Sequence, residues 1–404
     1  MPAAVIVDAV RSPMGKGKPG GALSGLHPVD LLAQVLSALV ARNELDPGTI
    51  DDVLVGCVGG NGEQSATPGR QAVLAAGWPE HVPAVTIERK CGSSQQALDF
   101  AVQGVVAGAY DIAVAAGVES MSRVPMGSAR GDADPHGPQV RARYAPGLVP
   151  QGISAELVAQ KWGLSRAQLD HFAATSHERA AKAASSGAFD RELVTVTTPD
   201  GTVTADETIR PGTTTERLAG LSPAFTGSPH AARFPDIDWK VTAGNSSQLT
   251  DGAAALLVMS EQRATELGLT PRARVVATAV IADDPLLMLT GPIPATQKVL
   301  ARSGLTIDDI AAFEVNEAFA SVPLAWQAEF AVADSQLNPR GGAIALGHPL
   351  GASGARLATT LLGVLEYTGG RFGLQTMCEA GGMANALILE NLSTDNHRDR
   401  NGRG

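Results

Sequence analysis

Residues 88–98 (ERKCGSSQQAL) mark a change from strand to helix. They follow the β-type run 82–87 and precede a run of small, helix-compatible residues over 95–109. This pattern places Cys91 at a strand-to-helix turn, where we expect Ser93 or Ser94 to cap the new helix. Unpaired N–H groups and the positive end of the helix dipole favour a reactive thiolate there. The alternative is a structural cysteine, since free thiols are commonly buried.

Length and charge limit the function classes. The chain has 404 residues, of which 44% are hydrophobic, enough for two or three domains with sizeable cores. Its net charge of −10 argues against nucleic acid as a partner. Its apolar runs are shorter than the ~18 residues of a membrane span, so we expect none. Residues 1–8 resemble a first strand and not a signal peptide.

The three cysteines argue against a disulfide scaffold. Cys57, Cys91 and Cys378 lie far apart, and an odd count without short spacing indicates a reducing compartment. We therefore expect a cytoplasmic protein. The sequence contains no Cys-x-x-Cys or His-x-x-x-His pair, so we expect no metal site.

Strand-like and helix-like runs alternate along the first 120 residues, beginning with a strand. In order, these runs are 4–7, 28–42, 53–58, 69–76, 82–87, 95–109 and 112–117. Such alternation predicts an α/β fold with a mainly parallel sheet whose faces are covered by helices.

The composition changes near residue 121. Residues 122–240 are rich in Pro, Gly, Arg and Thr and contain helix-like runs near 151–161 and 165–187, which predicts an inserted loop domain. Its arginines stand out in an acidic chain: Arg123, Arg130, Arg141, Arg143, Arg210, Arg217 and Arg233. They form either a solvated surface or a site for a phosphorylated ligand, because guanidinium groups bind phosphate in a forked geometry.

The second half of the chain repeats the first. Residues 49–53 (TIDDV) recur at 306–310 (TIDDI), an offset of 308 − 51 = 257. The same offset carries Cys91 onto His348, since 348 − 91 = 257. Although so short a match can arise by chance, the matching order of strand, helix and turn favours duplication. Cys91 and His348 would then lie in comparable turns, where α/β folds bind ligands.

Three further stretches contain polar or reactive side chains near strand ends. They are 314–319 (EVNEAF), the glycine-rich turn 341–354 (GGAIALGHPLGASG) and 372–382 (FGLQTMCEAGG). Taken singly, each has an ordinary structural explanation: a helix cap, a hydrogen-bonded histidine and a strand-end cysteine. Together they are harder to explain as structure alone.

These three stretches and residues 88–98 resemble four motifs of the thiolase family, in order and at similar spacing, and the resemblance extends to about residue 391. It implies two duplicated βαβαβαββ halves in a five-layered α-β-α-β-α core with an inserted loop domain. The halves would be 1–120, completed by about 241–270, and 271–392. Residues 121–240 would form the loop domain, and 393–404 a polar tail.

The resemblance also implies roles for individual residues. Cys91 would be the nucleophile, His348 would hold or take its proton, and Cys378 would exchange a proton with the α-carbon of acetyl-CoA. His348 and a water held by Asn316 would stabilise the enolate. The backbone N–H groups of Cys91 and Ala380 would form a second oxyanion hole. The family commonly has Gly where Ala380 stands, and a left-handed backbone conformation there would be costly.

Coenzyme A (CoA) is expected as a substrate, with no permanently bound cofactor. Its pantetheine arm, its phosphates and the acyl chain would be contacted by Ser247, Ala243, Gly244, Ala318, Phe319, Gln151 and Arg217. Relatives often have Met where Gln151 stands, so this position bears on the preferred acyl chain length.

The activity implied is CoA-dependent cleavage of 3-ketoacyl-CoA, most simply in a degradative, β-oxidation-type role. The alternatives are a biosynthetic acetoacetyl-CoA thiolase and a noncatalytic thiolase-fold subunit that binds lipid or joins a complex. A ketoacyl synthase or a Cys-His-Asn hydrolase would not need Cys378. The resemblance also implies a homodimer or homotetramer. A second alternative is that the protein binds a partner protein within a β-oxidation complex.

Overall fold

The computed structural model describes residues 3–393. Only Ser393 of the expected polar tail lies within this range. The strands of the described range are β1 (Ala4–Arg11), β2 (Gly15–Lys16), β3 (Asp52–Gly56), β4 (Ala84–Ile87), β5 (Ile112–Ser120), β6 (Val196–Thr198), β7 (Gly201–Val203), β8 (Thr250–Ser260), β9 (Ala273–Ala282), β10 (Ile310–Val315), β11 (Phe372–Glu379) and β12 (Met383–Asn391).

Over residues 28–120, helices alternate with strands, as the sequence pattern of the first 120 residues predicts. The described range contains the following helices. They are α1 (Pro28–Arg42), α2 (Pro68–Ala75), α3 (Ser93–Ala107), α4 (Gly137–Arg143), α5 (Gln151–Lys161), α6 (Arg166–Ser185), α7 (Thr215–Ala219), α8 (Glu261–Glu266), α9 (Pro292–Ser303), α10 (Ser321–Phe330), α11 (Ala343–Leu346) and α12 (Ser353–Thr368). None of the described helices is long and apolar enough to cross a membrane.

The strand order repeats in the two halves of the chain. The first half is ordered β4-β3-β5-β8-β1 and the second β10-β11-β12-β9, with β2 added beside β8. Within the sheet, the two halves join through β1 and β9, where Val5 and Ile6 pair with Arg274 and Ala273. Among the described residues, the second half has no strand that corresponds to β4; at this position beside β10, Phe313 forms an isolated bridge with Leu337. The shared order supports the duplication.

The expectation of a mainly parallel sheet was wrong. Parallel pairing is confined to β3–β4, β3–β5 and β10–β11, and the other strand pairs of the large sheet are antiparallel. The reason lies in the last strand of each half. The short turn between β11 and β12 permits only antiparallel pairing, and β8 returns antiparallel to β5 after the insertion.

Helices α3 and α12 pack against each other between the two halves of the sheet. Their facing residues are small and fully buried, including Ala97, Ala101, Ala355 and Ala358, which lets the helix axes approach closely. Helices α1 and α2 cover the outer face of the first half, and α9 and α10 that of the second. The core therefore has five layers, with α3 and α12 in the middle.

The insertion between β5 and β8 carries α4–α7 and the β6–β7 hairpin. Helices α5 and α6 pack against α10, and α6 also contacts α11. Arg11 of β1 anchors the insertion, since its guanidinium, buried with both partners, lies 2.6 Å from Glu192 and 2.7 Å from Asp206. The division of the chain into 1–120, 121–240 and 271–392 stays a prediction.

Close approach of α12 to the sheet depends on glycine at two paired positions. Gly56 on β3 pairs with Gly117 on β5. A Cβ at Gly117 would lie 2.4 Å from the Gly351 carbonyl oxygen and 2.7 Å from the Ala352 Cα, both backbone atoms.

We expect Gly117→Ala to lower the free energy of unfolding by about 1–3 kcal/mol, because the backbone before α12 must move to admit the methyl group. Denaturant unfolding checks this, with Gly60→Ala as the control, since a Cβ there meets nothing within 4 Å. Equal stability of the two variants would contradict the proposed packing.

Candidate active site

Cys91 lies in a strained turn between β4 and α3. The residue before it, Lys90, takes a left-handed conformation with φ of 48°, which costs ~1–3 kcal/mol for a residue other than glycine. Ser93 holds the turn closed: its Oγ accepts from the Arg89 N–H (2.9 Å) and donates to the Lys90 carbonyl (2.6 Å). The thiol therefore has a fixed position at the start of a central helix.

The expectation that Ser93 or Ser94 caps α3 was wrong. The N-cap is Gly92, which has no side chain to accept a bond. Ser93 closes the preceding turn, and the Ser94 Oγ accepts from the Ala355 N–H of α12 at 2.9 Å. The two serines thus fix the turn and join the starts of the two central helices.

His348 lies in the corresponding turn before α12. Its backbone N–H donates to the Gln248 carbonyl (3.1 Å) and to the Thr250 Oγ1 (3.0 Å). The preceding Gly347 has φ of 90°, and a Cβ there would lie 2.3 Å from the Thr250 Oγ1. Because only glycine leaves room for this close approach, the position of Thr250 beside the His348 turn depends on glycine at position 347.

Hydrogen bonds define which nitrogen of His348 carries the proton. The Ser353 hydroxyl donates to the Pro349 carbonyl at 2.8 Å, so its oxygen is left to accept from His348 Nδ1–H at 2.6 Å. Nε2 of the neutral ring is then unprotonated and lies 3.5 Å from the Asn316 Nδ2. Burial and the Arg356 charge lower the pKa of His348 to about 3. The ring is therefore neutral at rest and offers a free acceptor.

Asn316 and Cys378 come from neighbouring parallel strands. Val315 pairs with Thr376, and the Asn316 N–H donates to the Thr376 carbonyl at 3.0 Å. Asn316 follows the end of β10, and Cys378 lies near the end of β11. Burial, with Cys91 and Glu379 nearby, raises the pKa of the Cys378 thiol. It is therefore protonated at neutral pH.

The backbone N–H groups of Cys91 and Ala380 lie close enough to the Cys91 sulfur to oppose the rise of its pKa. Ala380 is not among the residues with positive φ, and the left-handed conformations fall on Gly381 and Gly382, with φ of 92° and 81°. The expected cost of Ala at this position therefore does not arise, and its N–H stays available as a donor.

The expectation that the helix start lowers the pKa of Cys91 was wrong. Burial, followed by the Glu379 charge, raises this pKa to about 12, although the two N–H groups and Lys90 oppose the shift. The resting site therefore holds a neutral thiol and a neutral imidazole. The proton must leave the sulfur during the reaction and not before it.

Several of the residues expected to contact CoA and the acyl chain lie close to one another. The Ser247 N–H donates to the Ala318 carbonyl at 3.0 Å, and Ser246 bridges to Phe319. The Phe319 ring meets Phe225 edge-on, with centroids 6.3 Å apart. A Cβ at Gly152, next to Gln151, would lie 2.2 Å from this Phe225 ring.

The remaining expected contacts lie toward solvent. Ala243 is exposed, and a Cβ at Gly244 would lie 2.6 Å from the side chain of Leu218 on α7. Arg217, next to Leu218, is exposed, and its Nη1 donates to the Gly212 carbonyl at 2.9 Å. Arg217 therefore lies near the 243–244 turn.

Sequence reasoning missed several supporting residues. Ser353 lies within the glycine-rich turn, and its spacing of five residues from His348 was the available signal. Glu317 follows Asn316, and its carboxylate accepts from Ser176 Oγ, Asn338 Nδ2 and the Ile344 N–H. Pattern alone gave no signal that this carboxylate would hold the segment that carries His348.

Glu119 and Cys57 lie beside the site without joining its chemistry. Glu119 accepts from the N–H groups of Val58, Gly59 and Gly351, which holds the turn before α12. Burial raises the pKa of the Cys57 thiol. Among residues 3–393, no group of three His, Cys, Asp or Glu could hold a metal ion.

Comparisons with known proteins identify the family. "Thiolase, N-terminal domain" matches residues 4–262, and "Thiolase, C-terminal domain" matches residues 269–391. The chain belongs to the thiolase family. The family fold is thereby confirmed for the five-layered core described above, and the chain is a thiolase and an acyltransferase.

Relatives match over nearly the whole chain. The chain is 46% identical to the steroid 3-ketoacyl-CoA thiolase FadA6 of Mycobacterium tuberculosis, covering 97% of this chain and 95% of the relative. It is 45% identical to a 3-ketoacyl-CoA thiolase of Escherichia coli, covering 96% and 99%. The crystal structure of Bacillus anthracis acetyl-CoA acetyltransferase matches with a TM-score of 0.85 at 36% identity, covering 97% and 99%.

The raised pKa of Cys91 predicts an unusual pH dependence. We expect the rate of Cys91 alkylation by iodoacetamide to keep rising from pH 7 to pH 10, because a thiol with a pKa of about 12 gains thiolate throughout this range. Peptide mass spectrometry measures the alkylation. A plateau below pH 8 would indicate a resting thiolate–imidazolium pair.

The Ser353 contact predicts a loss of turnover. Ser353→Ala removes the acceptor for His348 Nδ1–H and frees the ring to take the other tautomer, so kcat should fall about 10- to 100-fold. Thr359→Val is the matched control, since Thr359 Oγ1 is buried on the same helix and donates only to the Ala355 carbonyl. Equal kcat for both variants would contradict the tautomer assignment.

Proposed function

We propose that this thiolase cleaves 3-ketoacyl-CoA through an acyl-enzyme on Cys91, in a degradative pathway. One observation carries the proposal. The buried Cys91 thiol faces two backbone N–H groups and lies near enough to the buried Cys378 thiol to raise its pKa, and the buried His348 presents an unprotonated nitrogen beside Asn316. Acyl transfer and protonation of carbon need these groups together.

In the first half-reaction, His348 Nε2 takes the Cys91 proton as the sulfur attacks the 3-keto carbon. The bond between C2 and C3 breaks, and the electron pair passes to the enolate of acetyl-CoA. The Cys378 thiol gives its proton to C2, which releases acetyl-CoA. The enzyme is left with an acyl-Cys91 thioester, a protonated His348 and a Cys378 thiolate.

Between the half-reactions, the proton on His348 passes to the Cys378 thiolate. In the second half-reaction, His348 Nε2 takes the thiol proton of CoA as the CoA sulfur attacks the thioester. The tetrahedral intermediate collapses as His348 returns its proton to the Cys91 sulfur. The products are the shortened acyl-CoA and the starting enzyme. The CoA thiol proton replaces the proton that left on acetyl-CoA, so both thiols and His348 return to their starting protonation states.

Two groups of donors would stabilise the oxyanions. The N–H groups of Cys91 and Ala380 suit the tetrahedral intermediates formed on the Cys91 sulfur. Asn316 Nδ2, beside His348 Nε2, suits the enolate oxygen, with a bound water as the link. In a site closed to bulk water, such fixed donors act strongly, because little solvent screens them.

CoA would extend from these groups toward solvent. Ser247, Ala243 and Gly244 would contact the pantetheine arm, and Ala318 and Phe319 would line the tunnel. Arg217 would meet the phosphates. Gln151 would face the acyl or pantetheine chain, because its neighbour Gly152 lies against Phe225, and Phe225 contacts Phe319. No permanently bound cofactor enters these steps.

The degradative role is favoured by the relatives. Those at 43–46% identity are named 3-ketoacyl-CoA thiolases, one of them for steroids. The biosynthetic alternative, condensation of two acetyl-CoA, rests on the solved acetyltransferase at 36% identity. The noncatalytic alternative is disfavoured because Cys91, His348 and Cys378 are all present.

A homodimer or homotetramer is part of the proposal. Strand β4 is an edge strand of the large sheet, and Val85 on it and Phe100 on α3 are 41% and 42% exposed. An uncovered edge with apolar neighbours suits pairing with a second copy. The cytoplasmic location and a β-oxidation complex partner stay predictions.

Replacement of Cys378 should impair the steps that move a proton at carbon and spare acyl transfer through Cys91. In Cys378→Ala we expect thiolysis and the exchange of acetyl-CoA α-protons with D2O to fall at least about 100-fold, because the residue that exchanges the carbon proton is gone. Acetyl transfer between CoA molecules through Cys91 should persist. NMR follows the exchange, and radiolabelled CoA follows the transfer.

Cys57→Ala is the matched control, since Cys57 is a buried thiol outside the reaction steps. If Cys378→Ala abolished acetyl transfer as well, Cys378 would be needed for acylation. If it retained α-proton exchange, another group would be the acid.

A further inference from the structure

The side chain of Gln248 makes an unusual set of contacts. Its Nε2 donates to the carbonyl oxygens of Thr208 (2.9 Å), Ile344 (2.8 Å) and Ala345 (3.3 Å). Its Oε1 accepts from the Arg210 Nη2 at 2.9 Å. Carbonyls can only accept and a guanidinium can only donate, so these partners fix the orientation of the amide.

The backbone of Gln248 contacts the same segment. Its carbonyl accepts the backbone N–H of His348 at 3.1 Å and the hydroxyl of Thr250 at 2.8 Å. Together, side chain and backbone hold the segment 344–348 at its start and at His348 itself.

This segment needs outside donors. Helix α11 has only four residues, and the last carbonyls of a helix have no partner within it. Ile344 and Ala345 are buried, with 1% and 0% exposure, so bulk water cannot serve their carbonyls. Gln248 supplies the missing donors. Without them, the carbonyls of Ile344 and Ala345 would lose these hydrogen bonds, which oppose a shift of the segment's backbone.

The insertion anchors Gln248 from its other side. Thr208 and Arg210 both belong to it, and the buried His177 on α6 accepts the Arg210 N–H at Nδ1 (3.2 Å). Burial lowers the pKa of His177 to about 4, which keeps this nitrogen an acceptor at neutral pH. Contacts therefore run from α6 through Arg210 and Gln248 to the segment that carries His348.

We propose that Gln248 is a positioning residue for the reaction, holding the His348 segment at both ends and linking it to the insertion. It acts through His348 and does not touch the reacting atoms, so the inference rests on the role proposed for His348. Loss of its donors should lower kcat and leave KM nearly unchanged, because proton transfer depends more steeply on geometry than binding does.

The test is Gln248→Glu, which keeps the shape and the acceptor for Arg210 but removes the donors to the three carbonyls. We expect kcat for thiolysis to fall about 10- to 100-fold, with KM for CoA and for acetoacetyl-CoA within about twofold. Gln34→Glu is the matched control, because Gln34 also donates to a backbone carbonyl, that of Thr197, far from the site.

A double-mutant cycle separates positioning from general stability. In a His348→Ala background, Gln248→Glu should change the residual thiolysis less than about twofold, because its effect passes through the missing ring. An equal fall in both backgrounds would show that the substitution damages the fold and would overturn the proposal. A rise in KM with unchanged kcat would assign Gln248 to substrate binding and would overturn it too.

Arg210→Ala is a second test if Gln248→Glu does not fold, since Arg210 is exposed. We expect kcat to fall about 2- to 5-fold without a change in KM for CoA, through loss of one charge-assisted hydrogen bond. An effect on KM alone would contradict the link. Absence of thiolysis in the wild-type enzyme would instead refute the proposed function.

Discussion

The starts of α3 and α12 meet at the centre of the molecule, and the active site depends on this meeting. The Ala355 N–H donates to the Ser94 Oγ at 2.9 Å. A Cβ at Gly354 would lie 2.3 Å from the Gln95 backbone nitrogen, so the two helix starts are nearly in contact. The turns before these helices carry Cys91 and His348. Duplicated halves that share a central layer thus bring the nucleophile and its base together.

Burial then determines how these groups behave. It raises the pKa of both reactive thiols and lowers that of His348, so all three are neutral before substrate arrives. A permanent thiolate–imidazolium pair would cost desolvation energy in such a site. Fixed N–H donors at Cys91 and Ala380 stabilise charge only once the tetrahedral intermediate forms. The site is therefore organised for the charged states of the reaction and not for the resting state.

Much of this was predictable from the sequence, because it follows from local pattern. Helix α1 has the bounds that its apolar spacing indicated, and the 257-residue offset related Cys91 to His348. The antiparallel last strands were missed, since pairing direction depends on long-range contacts. The pKa of Cys91 was also mispredicted, because the helix-dipole argument omitted burial and Glu379. Ser353, Glu317 and Gln248 act through backbone contacts with distant segments, which a linear pattern does not reveal.

Intact-protein mass spectrometry tests the central claim that Cys91 carries the acyl group. The enzyme is mixed with acetoacetyl-CoA in the absence of free CoA, beside a Cys91→Ser variant. The account predicts an acetyl adduct on the wild-type chain that disappears when CoA is added, and no such adduct on the variant. An unmodified wild-type chain, folded and with Cys91 reduced, would contradict it, as would an adduct that maps to Cys378.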